Sequence, residues 1–223
     1  MSQAFLKLIQ TGATAEVADA VQDDPALAQA RDPQGVSALM WAIYSGQGMI
    51  RDFLLLQLAA QAADLDAFEA AATGNTARLS TILDDDAASA QALAGDGWTA
   101  LHLAAAFGTP TAVALLLTRG ARVDAVSENP QRNQALHAAL ALGRDPDTVR
   151  ILLANGADAN AMQAGGFTPL FSAAAANRRD LAELLVAHGA HARCANEQGK
   201  TPAEYARDRG HVEMAAWLEE QPA

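Results

Sequence analysis

Sliding the chain along itself exposes a fixed period, and that period restricts the possible folds more than any other feature of the sequence. The segments Thr99-Ala-Leu-His-Leu-Ala104, Gln134-Ala-Leu-His-Ala-Ala139, Thr168-Pro-Leu-Phe-Ser-Ala173 and Thr201-Pro-Ala-Glu-Tyr-Ala206 start 35, 34 and 33 residues apart. Nine positions after each start stands Gly108, Gly143, Asn177 or Gly210, residue types that accept the left-handed conformation of a helix end. The same pair of markers recurs upstream as Ser37-Ala-Leu-Met-Trp-Ala42 with Gly46, as a weaker copy at residues 65–70 with Gly74, and as a terminal helix ending at Gly12. Seven units result. Their closing residues are separated by 34, 28, 34, 35, 34 and 33 positions, so only the step from the second unit to the third is short.

Each unit reads locally as two short helices. Thr201 is placed to cap a first helix, with Pro202 in its first turn and Glu204 reaching back, and Thr168-Pro169 repeats the cap and the proline. Second helices open at Thr109-Pro110 and Asp145-Pro146 and continue through the core runs Val113-Ala-Leu-Leu-Leu117, Val149-Arg-Ile-Leu-Leu153 and Leu181-Ala-Glu-Leu-Leu-Val186. A Gly-Ala turn and an extended polar stretch follow, as in Gly120-Ala-Arg-Val-Asp124 and Gly156-Ala-Asp-Ala-Asn160, which predicts projecting β-hairpin fingers. Helix pairs this short bury a core only by stacking on their neighbours, so the expectation is an all-α solenoid forming a single domain over residues 1–223. The short step lacks about one finger of chain; the row of fingers is expected to break between units two and three, and a full hairpin over residues 57–64 would show the register to be wrong.

Composition agrees with closely packed helices. Of 223 residues, 51% are hydrophobic and only 5% aromatic, with alanine supplying much of the apolar content. A net charge of −11 opposes binding to nucleic acid and to anionic lipid, both of which rely on clustered Lys and Arg. The single cysteine, Cys194, makes no intrachain disulfide, which fits a reducing cytoplasm. Ala18-Asp19-Ala20 superficially resembles a signal-peptidase site. The apolar stretch before it is short and interrupted by Lys7, so no secretory signal is expected. The richest apolar run, residues 53–63, contains Gln57 and Gln61 and is too short to span a bilayer.

Thr-Pro-Leu-His-x-Ala-Ala, a glycine eight or nine positions on, Leu-Leu and then Gly-Ala-Asp-x-Asn is the pattern of the ankyrin repeat, and the chain resembles that family from end to end. Thr99-Ala-Leu-His-Leu-Ala-Ala105 and Asn155-Gly-Ala-Asp-Ala-Asn160 stand nearest to it, and unit three is the weakest copy. The resemblance implies an α-solenoid of stacked helix pairs with short β-hairpin fingers, whose concave face and finger tips bind a protein. It also implies that His102 and His137, at the repeat's histidine position, hydrogen-bond neighbouring backbone.

Other chemistry is poorly supported. His188, His191 and Cys194 have a spacing that suggests zinc, yet in register they fall on a helix end and a turn, where their side chains diverge. Gly199-Lys200-Thr201 lies at a finger base and lacks the rest of a phosphate loop. Asp84, Asp85 and Asp86 are adjacent residues pointing different ways. No catalytic residue, metal or cofactor is assigned, and the chain is read as a non-enzyme.

In the repeat register, the residue before each Thr and the two before each closing residue face the groove. The first slot holds Val36, Trp98, Asn133, Phe167 and Lys200, and the second includes Tyr44, Phe107 and Leu142. Tyr44, Trp98, Phe107, Leu142 and Phe167 therefore form the expected partner-binding strip, since exposed aromatic strips usually have something to cover them. The rival expectation is that Trp98 and Phe167 fold onto their own fingers. Asp32, Asp96 and Glu128 are candidates to steer a basic partner. The expected function is a protein-binding scaffold or adaptor, with no identified partner; self-association through the same strip is the alternative.

Overall fold

The computed structural model describes residues 2–141 and 145–222. These residues contain fourteen α-helices in seven consecutive pairs. The pairs are α1 (Gln3–Thr11) with α2 (Thr14–Asp23), α3 (Ala38–Tyr44) with α4 (Gly48–Ala60), α5 (Ala67–Thr73) with α6 (Thr76–Asp85), and α7 (Ala100–Ala106) with α8 (Pro110–Thr118). They continue as α9 (Ala135–Ala141) with α10 (Pro146–Ala154), α11 (Pro169–Ala175) with α12 (Arg179–Ala187), and α13 (Pro202–Asp208) with α14 (Val212–Glu220). First helices stack on first helices throughout, and α2 packs on α4, α6 on α8, α8 on α10 and α10 on α12. The stack is the solenoid that the period implies.

Alanine makes the first helices thin enough to lie close together. In α7 all seven residues are buried, and its Leu101 and Leu103 join Leu39, Ile50, Leu79, Leu116 and Leu136 among the fully enclosed side chains. Each such leucine contributes about 1.5–3 kcal/mol relative to an exposed one, so the interfaces between units, and not the isolated pairs, hold the fold.

The caps follow the sequence with one exception. Thr99 and Thr201 cap α7 and α13 in reciprocal boxes closed by His102 and Glu204, while Thr109 and Asp145 cap α8 and α10. Thr168 precedes α11 but makes no side-chain cap bond. Its hydroxyl is buried and has no hydrogen-bond partner among the described residues.

The closing residues divide into two kinds. Gly12, Gly46, Gly74, Asn177 and Gly210 take positive φ of 74°, 67°, 72°, 53° and 81°. Gly108 does not. It is required for close approach, since a Cβ there would stand 2.3 Å from the Ala71 carbonyl oxygen of the preceding unit. Gly143 lies outside the described residues.

The fingers differ from the expected hairpins. Each that pairs does so through one antiparallel bridge, Arg31 with Ser37, Leu93 with Thr99, or Gln163 with Phe167. Side chains take amides that a longer ladder would use: Asp32 Oδ1 accepts from Val36 N at 2.9 Å, Asn196 Oδ1 from Lys200 N at 3.0 Å, and Ser127 Oγ from Asn133 N at 3.0 Å. Successive fingers are joined instead to each other, by Glu128 N donating to Gly97 O, Ala164 N to Gln131 O and Glu197 N to Gly165 O.

Between α4 and α5 no bridge forms among the described residues. The six-residue link, residues 61–66, turns through Ala62 at φ 51°. The finger row breaks there as expected, and the break leaves little open space. The finger at residues 31–37 leans directly on the one at residues 93–99, so closely that a Cβ on Gly95 would stand 1.8 Å from the Gln34 carbonyl oxygen. Arg31 crosses the link to Asp66 at 2.9 Å and to the buried Glu69 at 3.2 Å. A cavity of about 300 Å³ remains, lined by Leu55, Leu58, Ala63, Leu65, Asn75 and Arg78.

Candidate partner-binding surface

Of the five expected strip residues, Tyr44, Trp98 and Phe107 come together. Tyr44 and Phe107 have ring centroids 5.6 Å apart, and Trp98 and Phe107 6.2 Å. Trp41 joins edge-on to Tyr44 at 6.0 Å. Phe167 belongs to a different cluster, 5.3 Å from Phe171 and 5.5 Å from Tyr205, with the Arg209 guanidinium 3.9 Å from the centre of the Tyr205 ring. Leu142 lies outside the described residues. The strip is therefore two aromatic groups, and the slot between them holds buried Asn133.

None of the four described strip residues is fully exposed; each is half-buried. Trp98 and Phe107 pack against the hydrophobic core, as Tyr44 does, and Trp98 stacks 5.8 Å from His102. These rings support the fold as well as presenting an edge.

The acidic residues expected to steer a partner are partly engaged. Asp32 accepts the Trp41 indole N–H at 2.9 Å while holding its own finger turn. Asp96 accepts the Tyr44 hydroxyl at 2.5 Å and the Trp98 amide at 3.1 Å. Burial, and then the Asp96 carboxylate, drive the Tyr44 phenol far above its ordinary range, so it stays a donor.

A second feature escaped the sequence reading. Ala94 N, Ser127 N and Gln163 N each donate to the carbonyl that closes their own finger, at 2.7, 2.8 and 3.0 Å, which puts the residue before each in one structural position. Those residues are Leu93, Val126 and Met162, exposed at 40%, 43% and 60%. Because the fingers are bonded side by side, the three form an apolar ladder along their row. The flanking fingers carry Arg31 and Ala195 at the same place. The signal was present as apolar residues recurring just ahead of three finger turns, a slot outside those chosen as groove positions.

Two histidines, His102 and His137, are buried and tie neighbouring backbone together. His102 is fully enclosed; its Nδ1 accepts from Thr99 N at 3.3 Å, which leaves Nε2–H to donate to Asn133 O at 3.0 Å. His137 repeats the arrangement with Gln134 N and with Ala161 O at 3.0 Å. Burial lowers the pKa of both rings, against the opposing pull of those carbonyl bonds. His188 Nδ1 bonds to Leu184 O at 2.8 Å and His191 N to Asn160, while Cys194 Sγ lies 3.9 Å from Ala195 O. Among the described residues no group of three His, Cys, Asp or Glu converges on a metal position, and no helix is long and apolar enough to cross a membrane.

Comparison with known proteins gives a consistent picture. The family model described as "Ankyrin repeats (3 copies)" matches residues 56–163 and 136–222. The mouse (Mus musculus) B-cell lymphoma 3 protein homolog is 36% identical over 119 residues, covering 53% of this chain and 26% of the relative. The mouse ankyrin repeat and SOCS box protein 16 is 40% identical over 115 residues, covering 48% of this chain and 25% of the relative. The zebrafish (Danio rerio) ankyrin repeat and SOCS box protein 11 is 38% identical over 109 residues, covering 49% and 36%. The matched stretch is thus a minor part of each relative.

Proposed function

This chain belongs to the ankyrin-repeat family, whose repeats are general protein–protein interaction modules, and from that premise we propose that it is a non-catalytic adaptor that binds a protein partner along its row of fingers and the adjoining groove. The observation that carries the reading is the ladder of Leu93, Val126 and Met162, three large apolar side chains held in register at the surface. Apolar anchors in a row bordered by polar groups are what an interface core needs. The edges of Trp98 and Phe107 and the separate face of Phe167 and Tyr205 extend the surface into the groove. His102 and His137 offer no rival catalytic centre, because both ring nitrogens of each are engaged by neighbouring backbone. The working compartment on this reading is the cytoplasm, and the active form is a monomer.

The test is affinity capture with cross-linking on the full chain, comparing wild type with Val126→Ser/Met162→Ser and with Trp98→Ala/Phe107→Ala. The expected result is a partner held by wild type and lost with the finger variant, whose helicity and melting stay unchanged. Identical capture by wild type and both variants sinks the site. Concentration-dependent sedimentation of wild type, abolished by Val126→Ser/Met162→Ser, moves the assignment to self-association.

A further inference from the structure

The outer side of α4 is unlike that of any other described second helix. Met49 and Leu56 are exposed at 74% and 69%, and half-buried Phe53 lies between them. Spacing of four and then three residues puts all three on one stripe, roughly opposite the buried line of Ile50, Leu54 and Leu58. Counted from the closing residue of each unit, the places of Met49 and Leu56 hold Ala15 and Gln22, Ala77 and Asp84, Thr111 and Thr118, Pro146 and the buried Leu153, Asp180 and Ala187, or Glu213 and Glu220. Two large exposed apolar residues occur at these places on α4 alone among the described pairs. The stripe lies away from the fingers and the groove, on the helix whose following finger is missing.

Its surroundings are acidic. The first hundred residues carry four Lys or Arg against thirteen Asp or Glu. On α2, which packs on α4, Asp19 holds the register place of Phe53, and Asp23 follows it one turn later. Both carboxylates are exposed, and neither makes an ion pair among the described residues. Arg51, the one cation on α4, is paired with Asp52 at 2.8 Å.

We propose that the Met49, Phe53 and Leu56 stripe is a second docking surface, and that its occupant is an amphipathic helix carrying Lys or Arg beside its own apolar stripe. Anchors at i, i+4 and i+7 match the spacing by which such helices bind, and the flanking carboxylates select the basic kind. A second copy of this chain is disfavoured, since packing two such faces together opposes the same acids within chains of net charge −11. The surface is separate from the finger row, so its test is independent of the function proposed above.

The probes are two labelled helical peptides of the same leucine pattern, one with lysine and one with glutamate at the polar positions, titrated against the full chain by fluorescence anisotropy. The lysine peptide is expected to bind wild type, about ten-fold more weakly to Met49→Gln/Leu56→Gln, and unchanged to Val126→Ser/Met162→Ser; Asp19→Asn/Asp23→Asn also weakens it. The glutamate peptide is expected not to bind. Both substituted apolar side chains are exposed, so the variant keeps its fold and circular dichroism verifies it. Equal affinity for wild type and Met49→Gln/Leu56→Gln overturns the proposal by showing attraction to charge alone. Equal binding of the glutamate peptide overturns the charge selection, and a wild-type dimer dispersed by the same variant assigns the stripe to a second copy.

Discussion

Tyr44 and Asp96 meet in a 2.5 Å hydrogen bond between side chains 52 positions apart, joining the end of α3 to the finger that precedes α7. An intervening finger would separate them; the shortened link after α4 is what allows the contact. The bond therefore helps to close a discontinuity in the stack. A hydrogen bond to a charged acceptor contributes about 1.5–3 kcal/mol when well sheltered, and the site is half-buried. Tyr44→Phe is expected to lower stability by about 1–2 kcal/mol. In a double-mutant cycle with Asp96→Asn, measured by urea unfolding, the two substitutions should be strongly non-additive. Simple additivity would show that the bond does not couple the two units.

The same discontinuity makes Gly95 irreplaceable. A methyl group there meets the Gln34 carbonyl at 1.8 Å, and backbone has no rotamer by which to move aside. Gly108 faces the Ala71 carbonyl at 2.3 Å for the same reason. Gly95→Ala and Gly108→Ala are each expected to cost about 1–3 kcal/mol through overpacking. Gly48→Ala, where a methyl meets nothing within 4 Å inside α4, should be neutral or stabilising. Thermal melts of the three variants check the order, and a Gly95→Ala protein as stable as wild type would mean that the two fingers are not in contact.

Period, caps and core leucines made the helix pairs legible in the sequence, because each depends on residues within a few positions of one another. What crosses between units was harder to read. Gly108 carries the same letter as Gly74 yet serves close approach and not a left-handed turn, a distinction that depends on Ala71 one unit away. Asp96 looked like a free surface charge, and Tyr44 is what engages it. The groove register puts the aromatic residues on one line, but buried Asn133 divides it, and the more exposed apolar residues stand on the fingers at Leu93, Val126 and Met162. Register positions locate a slot; they do not say how far the slot's side chain is already used by its neighbours.

Thr168 and Thr99 occupy the same cap position with opposite consequences. Thr99 exchanges bonds with His102, whose amide it accepts at 3.4 Å, whereas the Thr168 hydroxyl is buried with no partner among the described residues. Leaving a buried hydroxyl unsatisfied costs about 1–3 kcal/mol, and valine has nearly the same shape without the polar atom. Thr168→Val is expected to raise stability by about 1 kcal/mol and Thr99→Val to lower it by about 1–2 kcal/mol. Parallel denaturation curves decide the point; a shared sign would mean that the missing bond at Thr168 is satisfied by solvent.

His102 and His137 should make the protein acid-sensitive in a defined window. Burial lowers both pKa values from the ordinary 6.5, with the Asn133 and Ala161 carbonyls and nearby carboxylates pulling the other way. Below that value the unfolded chain takes up protons that the folded chain refuses. Stability is therefore complete above about pH 6.5 and falls as the pH drops toward the lowered folded values. The slope is at most about 1.4 kcal/mol per pH unit for each ring. Urea midpoints at pH 7.5, 6.5 and 5.5 are expected to decline below 6.5 for wild type and to change little for His102→Gln/His137→Gln, whose amide nitrogens overlay Nε2 and can still donate to the Asn133 and Ala161 carbonyls. Because the wild-type loss comes from two sites, each single variant should retain a shallower decline. Equal slopes in all four proteins would place the acid sensitivity in groups other than these two rings.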